Sequence, residues 1–487
     1  MRKLIGLLLV ALLALPALAG AATVDDLEKK MQELQKQIDE LSASANKGEL
    51  HAATDRIQFY GDLRTKADSL TYRDVRWFIP GAPPTALKYN LNNSILYTTR
   101  LRLNMKAKVW DNVDFAGRLS MYKNWGDSTS VKVMDSFTGV TMDGTNSGNT
   151  TGDTLRVERA YFNWKDIGGS NFYLSIGRRP STYGPPTQYR ENELRGGTPS
   201  GHLVNFNFDG VTAGYHLSEL TGIEGQTIRF CYGQGYESDL GNGELMGNQS
   251  LKDTHLGGFN IDALDDGTNF VQLTLFRAQD ITDGFKSLAV LQDASGLPVV
   301  VRMQATTNVG NMWIGGLGLA REEDNGLKYF ASFGWNQSDP NGRVSQFPTM
   351  FGGPAFGGLL SEDGKGKENG YSVYAGIQIP TGDIGKIGFE YNYGSQYWFN
   401  FVQAQDDIAG PKLAARGHVG EAYYIFDINP NMFIKIGGLF YDYQYTGSGN
   451  PIGKPTKISA LTGYEFHSMM PVIDKVYDGY ASMTVKF

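Results

Sequence analysis

Residues 479–487 read GYASMTVKF, and their alternation decides the fold class. Ala481, Met483, Val485 and Phe487 are spaced two apart, with Tyr480, Ser482, Thr484 and Lys486 between them. A strand sends successive side chains to opposite faces, so this stretch carries one apolar and one polar face. The same pattern stands upstream at 98–110. There Leu101, Leu103, Met105, Ala107 and Val109 share one face, and Arg100, Arg102, Asn104, Lys106 and Lys108 the other. Asp111 and Asn112 turn the chain. Val113–Asn124 then returns with Val113, Phe115, Gly117, Leu119 and Met121 opposite Asp114, Arg118 and Ser120. This is a tight hairpin with one lipid-compatible face.

Carried along the chain, the pattern predicts further strands near 56–66, 154–165, 171–178, 211–217, 227–235, 255–264, 269–279 and 308–320. Others follow near 326–337, 370–380, 386–396, 416–428 and 432–444. Short connections (111–112, 166–170, 265–268, 322–326, 381–385, 429–431) alternate with long segments rich in Gly, Asn, Asp and Ser. A transmembrane β-barrel sorts its connections this way, with short turns at one end and long loops at the other, whereas a soluble sandwich has no reason to. The expected fold is therefore all-β: an antiparallel transmembrane barrel of about 16 strands, within a range of about 14 to 18. Leu203–Phe208 and 457–466 are strand-like pieces assigned here to loops; counting both as strands gives the upper figure.

The opening residues, MRKLIGLLLVALLALPALAGAA, have the form of a secretory signal: basic Arg2 and Lys3, an apolar run, and a small-residue cleavage site after Ala19 or Ala22. The run is shorter than the roughly 20 residues that span a bilayer. Residues 23–46 predict a short α-helical coiled coil, because Val24, Met31 and Ile38 fill one heptad position and Leu27, Leu34 and Leu41 the other. Such a helix is marginal alone, which predicts self-association, with a periplasmic stalk in a trimer preferred. The expected organisation is a signal peptide at 1–22, the coiled coil at 23–46, a linker at 47–55 and the barrel at 56–487.

Composition agrees with a barrel. The 61 Gly, 26 Tyr and 26 Phe suit tight turns and interfacial girdles, and mean hydropathy is −0.31 because alternating strands hide their apolar residues. A net charge of −7 is mild for 487 residues and points away from nucleic acid. The single cysteine, Cys231, excludes a disulfide framework and a C-x-x-C-H haem attachment. Six histidines lie scattered without metal-ligand spacing, and no G-x-S-x-G, H-E-x-x-H or phosphate-binding loop is present. The expectation is a non-enzyme with no cofactor and no metal.

The alternating last strand ending in Phe487 resembles the assembly signal of Gram-negative outer-membrane barrels. Ile176-Gly177-Arg178-Arg179-Pro180-Ser181-Thr182, then Gly184-Pro185-Pro186 and later Phe208-Asp209-Gly210, resemble a largely uncharacterised family of porin-like outer-membrane proteins. Its members carry a signal, a short N-terminal coiled coil and a barrel. The resemblance implies outer-membrane location and fold, with lipid and lipopolysaccharide as surroundings, and it implies no substrate.

A channel needs a polar lining and a constriction. If the apolar faces meet lipid, Arg100, Arg102, Lys106, Lys108 and Arg118 must face the lumen, since a charge at the lipid midplane costs roughly 2–4 kcal/mol. Such a row needs counter-charges, for which Asp114, Glu191 and Glu193 are candidates. The loop at 178–210 is stiffened by Pro180, Pro185, Pro186 and Pro199. Its position and length resemble the third loop of general-diffusion porins, which folds inward; a loop packed over the rim is the alternative. The expectation is an eyelet between the basic wall and a rim of Arg178, Arg179, Arg190, Glu191, Glu193 and Arg195, passing small hydrophilic solutes passively with a weak anion preference. Charges that merely solvate a wide lumen are the alternative at this level. A ligand-specific channel for a siderophore or organic anion, and a structural role as a sheath around a partner haem protein or a tether between outer membrane and cell wall, are the competing functions.

Overall fold

The computed structural model describes residues 29–37, 39, 57–77, 87–126, 153–238, 251–283, 287–292, 295–303, 305–346, 357–382, 384–402, 407–461 and 472–487. The chain divides into two units, Met1–Gln58 and Phe59–Phe487. In the first, residues 29–37 and 39 are helical, with Met31 and Leu34 exposed. The signal peptide, the linker up to residue 56 and the rest of the coiled coil lie outside the described residues.

The second unit is a closed barrel of sixteen strands. In chain order they are β1 Ile57–Trp77, β2 Leu87–Trp110, β3 Val113–Asn124, β4 Arg156–Trp164, β5 Phe172–Arg179, β6 Phe208–His216, β7 Thr227–Tyr236 and β8 Thr254–Asp265. Then come β9 Asn269–Thr282, β10 Asn308–Glu322, β11 Lys328–Pro340, β12 Asn369–Pro380, β13 Gly385–Gly394, β14 Gly417–Asn429, β15 Met432–Tyr443 and β16 Lys475–Lys486. Closure is antiparallel: β16 pairs with β1 from Asp62↔Lys486 to Arg73↔Lys475. Each predicted strand has its counterpart, and the short connections gather at one end.

The alternation read from the sequence is the in–out alternation of the wall. In β16, Val476, Asp478, Tyr480, Ser482 and Thr484 are buried in the interior, while Tyr477, Ala481 and Met483 are exposed outside. The outer face of β9 shows Leu273 and Leu275, and that of β12 Tyr371 and Val373. With no open edge, such a closed wall satisfies its backbone from strand to strand.

Two departures from the sequence reading shape the interior. First, β1 and β2 continue well past residues 66 and 98, into what reads as loop. In β1 the polarity inverts there: Leu70, Tyr72 and Val75 are buried, while Ser69 and Arg73 are exposed. Asp74 lies in the left-handed region at φ 55, and the buried phase shifts by one residue between Tyr72 and Val75. A lipid-facing pattern is what the reading sought, and this extension has its apolar face turned inward instead.

Second, the interior is not an open bore across its whole section. The segments 180–207, 395–402 and 407–416 fold inside, where Val204-Asn205 and Phe401-Val402 pair as two short parallel strands. Leu203, Trp398, Phe399 and Phe401 pack there against inward Phe276, Met312 and Ile314 of β9 and β10. The lumen beside β8–β10 is thus an apolar core, because the first two of these segments bring apolar side chains onto an apolar patch of wall. This corrects the expectation that every inward side chain bathes an aqueous bore.

Candidate functional site

The polar side of the interior lies across the closure seam. Inward positions of β1 carry Asp62, Arg64, Lys66 and Asp68, all buried. β15 adds Lys435, and β16 adds Tyr480, Ser482 and Thr484. The inward loop 180–207 supplies the rest through a one-turn helix, Gln188–Glu191, which ends at Asn192 in the left-handed conformation. Gly184 makes this path practicable, since a Cβ there would collide with the carbonyl oxygen of Pro199. Between helix and wall is a gap, about 400 Å³ with the open solvent at its mouth included, lined by Arg64, Lys66, Arg100, Arg190, Glu191, Phe433, Lys435, Tyr480, Ser482 and Thr484.

Five cations and one carboxylate line this gap, and most of the neutralising groups stand outside the lining. Arg100 Nη2 lies 3.3 Å from Asp62 Oδ1 and 3.3 Å from Glu193 Oε1. Arg102 Nε donates to Asp62 Oδ2 at 2.8 Å and Arg102 Nη2 to Glu193. Arg64 Nη1 is 3.5 Å from Glu191, and Lys66 Nζ 2.5 Å from Asp68. The loop's two glutamates are thereby seated on the wall's arginines.

Deeper, Glu421 of β14 is a hub. It receives Arg190 Nε at 3.0 Å, Lys412 Nζ at 2.6 Å, Lys435 Nζ at 3.4 Å and the Tyr480 hydroxyl at 2.6 Å. Arg190 also donates Nη2 to Asp407 at 2.8 Å. Lys412 reaches Glu390 as well, which accepts from Tyr374 at 2.6 Å and Tyr423 at 3.3 Å. Burial alone would lower the Arg190 guanidinium, but Asp407, Glu421 and Glu191 outweigh it and hold it well above the ordinary arginine range. Two further contacts dock the loops. His202 sets Nδ1 2.9 Å from Ser332 Oγ and Nε2 2.8 Å from Ser372 Oγ, and its burial depresses it to about 3. Arg416 donates to the carbonyls of Trp398, Thr446, Gly447 and Asn450 at 2.7–2.9 Å.

Of the residues singled out in the sequence, Arg100, Arg102, Arg190, Glu191 and Glu193 meet at this gap. Arg118 joins the wall beside it, donating Nε to Asn104 at 2.6 Å and Nη1 to Glu158 at 3.1 Å. Arg195 reaches elsewhere, to Asp262 at 3.2 Å and Asp265 at 3.5 Å. Lys106, Lys108 and Asp114 stand apart from the gap. Lys106 is exposed over the Tyr60 ring, Lys108 is exposed 3.7 Å from Asp111, and Asp114 pairs with Lys165. All three lie toward the short-turn end, because strand parity fixes a residue's face and not its depth. Arg178 also stands apart. It alternates with buried Ser175 and Arg179, so it points outward, where Nη1 meets Asp209 at 2.8 Å. Arg179 turns inward, away from the gap, with Nη1 on the Ser175 hydroxyl. The reading of the sequence missed Asp62, Arg64, Lys66, Asp407, Lys412, Glu421 and Lys435. The inward phase of β1, β14 and β15 marks five of these once the strands are placed; the inward course of 407–416, which carries Asp407 and Lys412, has no such sign.

Residues 90–487 match the family described as "Protein of unknown function (DUF3373)". The chain belongs to DUF3373. No curated protein matches it. Among solved structures, this DUF3373 chain is similar to Pseudomonas putida OprB, at 11% identity over 90% of this chain and 96% of that one, with a TM-score of 0.46. It is similar too to an anion-selective porin from Comamonas acidovorans, at 9% identity over 88% and 99% of the two chains, TM-score 0.48. The trimer form of OmpT, an outer membrane protein of Vibrio cholerae, matches at 13% identity over 88% and 99%, TM-score 0.41. The barrel assignment for the DUF3373 chain rests on its own strand ladder.

Proposed function

We propose that this protein is an outer-membrane channel through which small hydrophilic solutes diffuse passively, with a weak preference for anions. The observation that carries the reading is the cation-lined gap inside a closed barrel, bounded on one side by an inward loop. Charges aimed at a confined aqueous path bias which ions enter it. Asp62, Asp68, Glu193, Asp407 and Glu421 pair with the lining cations from outside the lining, so the two signs nearly balance over the region and the preference is weak. The apolar packing beside β8–β10 favours a narrow path over a wide bore. In this reading the short turns and the coiled coil at 23–46 are periplasmic, and the coiled coil joins three copies.

Reversal potentials in a salt gradient across a planar bilayer test the proposal. The native protein is expected to be weakly anion-selective, and Arg64→Gln combined with Lys66→Gln to shift selectivity towards cations. Native cation selectivity, or a reversal potential unmoved by the double substitution, would sink it.

A further inference from the structure

A second cavity lies away from the charged gap, between the root of the inward loop and strands β6–β9. It holds about 470 Å³ of unfilled space, its open mouth included, and its walls include Val204, Phe208, Cys231, Leu256 and Phe276. Arg179 is the one charged side chain on the lining. Its Nη1 donates to Ser175 Oγ, its guanidinium carbon lies 5.5 Å from the centre of the Tyr161 ring, and the residue is only 9% exposed. Among the described residues no carboxylate lies within ion-pair distance of it. Arg229, a like charge on the neighbouring wall, is already engaged by Asp262 at 2.8 Å.

A guanidinium taken out of water needs a counter-charge, and an aromatic face replaces only part of it. Tyr161 and Ser175 therefore leave Arg179 short of an anion. The remaining walls are largely apolar, and the hydroxyls of Ser181 and Thr212 among them already donate to Phe206 O and Cys231 Sγ, so a fully hydrated anion such as phosphate would lose its solvent for few partners there. A molecule that suits both features has a carboxylate at one end and an apolar body at the other. The carboxylate would accept from the Arg179 fork, and the body would fill the space against Phe208, Leu256 and Phe276. We infer that this cavity is a binding site for a small amphiphilic carboxylate of single-ring or short-chain size. The inference goes beyond passive diffusion and does not depend on the charged gap conducting ions.

Cys231 gives the test a built-in reporter, since it lines the cavity and is the chain's single cysteine. The full-length barrel, reconstituted in lipid nanodiscs, is treated with a small neutral methanethiosulfonate, and the rate of Cys231 modification is followed by mass spectrometry. Millimolar benzoate is expected to slow modification about tenfold, whereas acetate, which lacks the apolar body, and benzyl alcohol, which lacks the charge, leave it unchanged. Protection by benzoate should vanish in Arg179→Met and in Leu256→Trp, which fills the cavity instead of discharging it. Should Cys231 prove unreactive, calorimetric titration of benzoate reads the same comparison. Absence of benzoate binding, equal protection by benzyl alcohol, or protection that survives both substitutions would overturn the inference.

Discussion

Acidification should release the inward loop at His202, and the size of the effect follows from its burial. The ring is fully enclosed, between Ser332 and Ser372 and against Tyr374 and Trp398, and is depressed from an ordinary 6.5 to about 3. Docked, it is neutral; released into water, it takes up a proton below about pH 6.5. Docking is therefore at full strength above that pH, and its strength declines as pH falls from 6.5 towards 3. Between pH 7.5 and 5.5 the loss is about 1.4 kcal/mol, a tenfold rise in the open population. The amides of Leu203 and Val204, which donate to Ser200 O at 3.0 and 2.9 Å, report opening, as does that of Phe401, which donates to Leu203 O at 2.9 Å. Hydrogen exchange, corrected for the intrinsic pH dependence of the chemistry, should show their protection falling about tenfold over that interval. In His202→Gln the dependence should disappear. Protection that does not change with pH in the native protein, or that falls equally in the variant, would refute the reasoning.

Two other perturbations act on the same loops. Arg190→Met leaves Asp407 buried without its partner and strips Glu421 of one cation, a loss of about 3–5 kcal/mol for a broken buried pair. It should appear as a lower thermal transition of the folded band on unheated gels and as noisier single-channel currents. Trp398→Ala opens a hole where the indole packs against the apolar core and donates Nε1 to Leu413 O at 2.9 Å. The expected loss is about 3–5 kcal/mol, with 395–402 and 407–416 exchanging faster while the β14–β16 ladder keeps its protection.

Much of the barrel was legible because a period of two needs no partner to be read. Alternation in 479–487 and 98–110 names the two faces of each strand from local sequence alone, and the sorting of short and long connections follows from it. The interior was legible only where the same parity reached. Arg100 and Arg102 sit on the inward face and meet Glu193, whereas Lys106 and Lys108 share that phase yet lie near a turn, since alternation carries no depth. Arg178 and Arg179 are adjacent and take opposite faces, a distinction present in their phase relative to Ser175 and lost when both are read as one loop rim. The segment around Phe401-Val402 was not legible as interior. Its partner strand, Val204-Asn205, lies some two hundred residues away and is only two residues long, too short to leave a periodic signal.

The two inward segments are held by different physics at their two sides, and that division explains the layout of charge. Against β9 and β10 both contribute aromatic and aliphatic groups, and burial of apolar surface holds them without directional demands. Towards the closure seam each presents a cation to the same carboxylate: Arg190 from one segment and Lys412 from the other meet on Glu421, while Asp407 of the second clasps Arg190 of the first. A buried ion pair adds little net stability compared with an apolar pair, because its attraction is offset by lost hydration, but a wrong pairing is costly. The charged side thus acts mainly as a key. It permits one relative placement of the segments and so sets where Glu191 and Glu193 stand opposite Arg64, Arg100 and Arg102. The shape of the cation-lined gap is in this way a consequence of Glu421, a residue that does not itself line it.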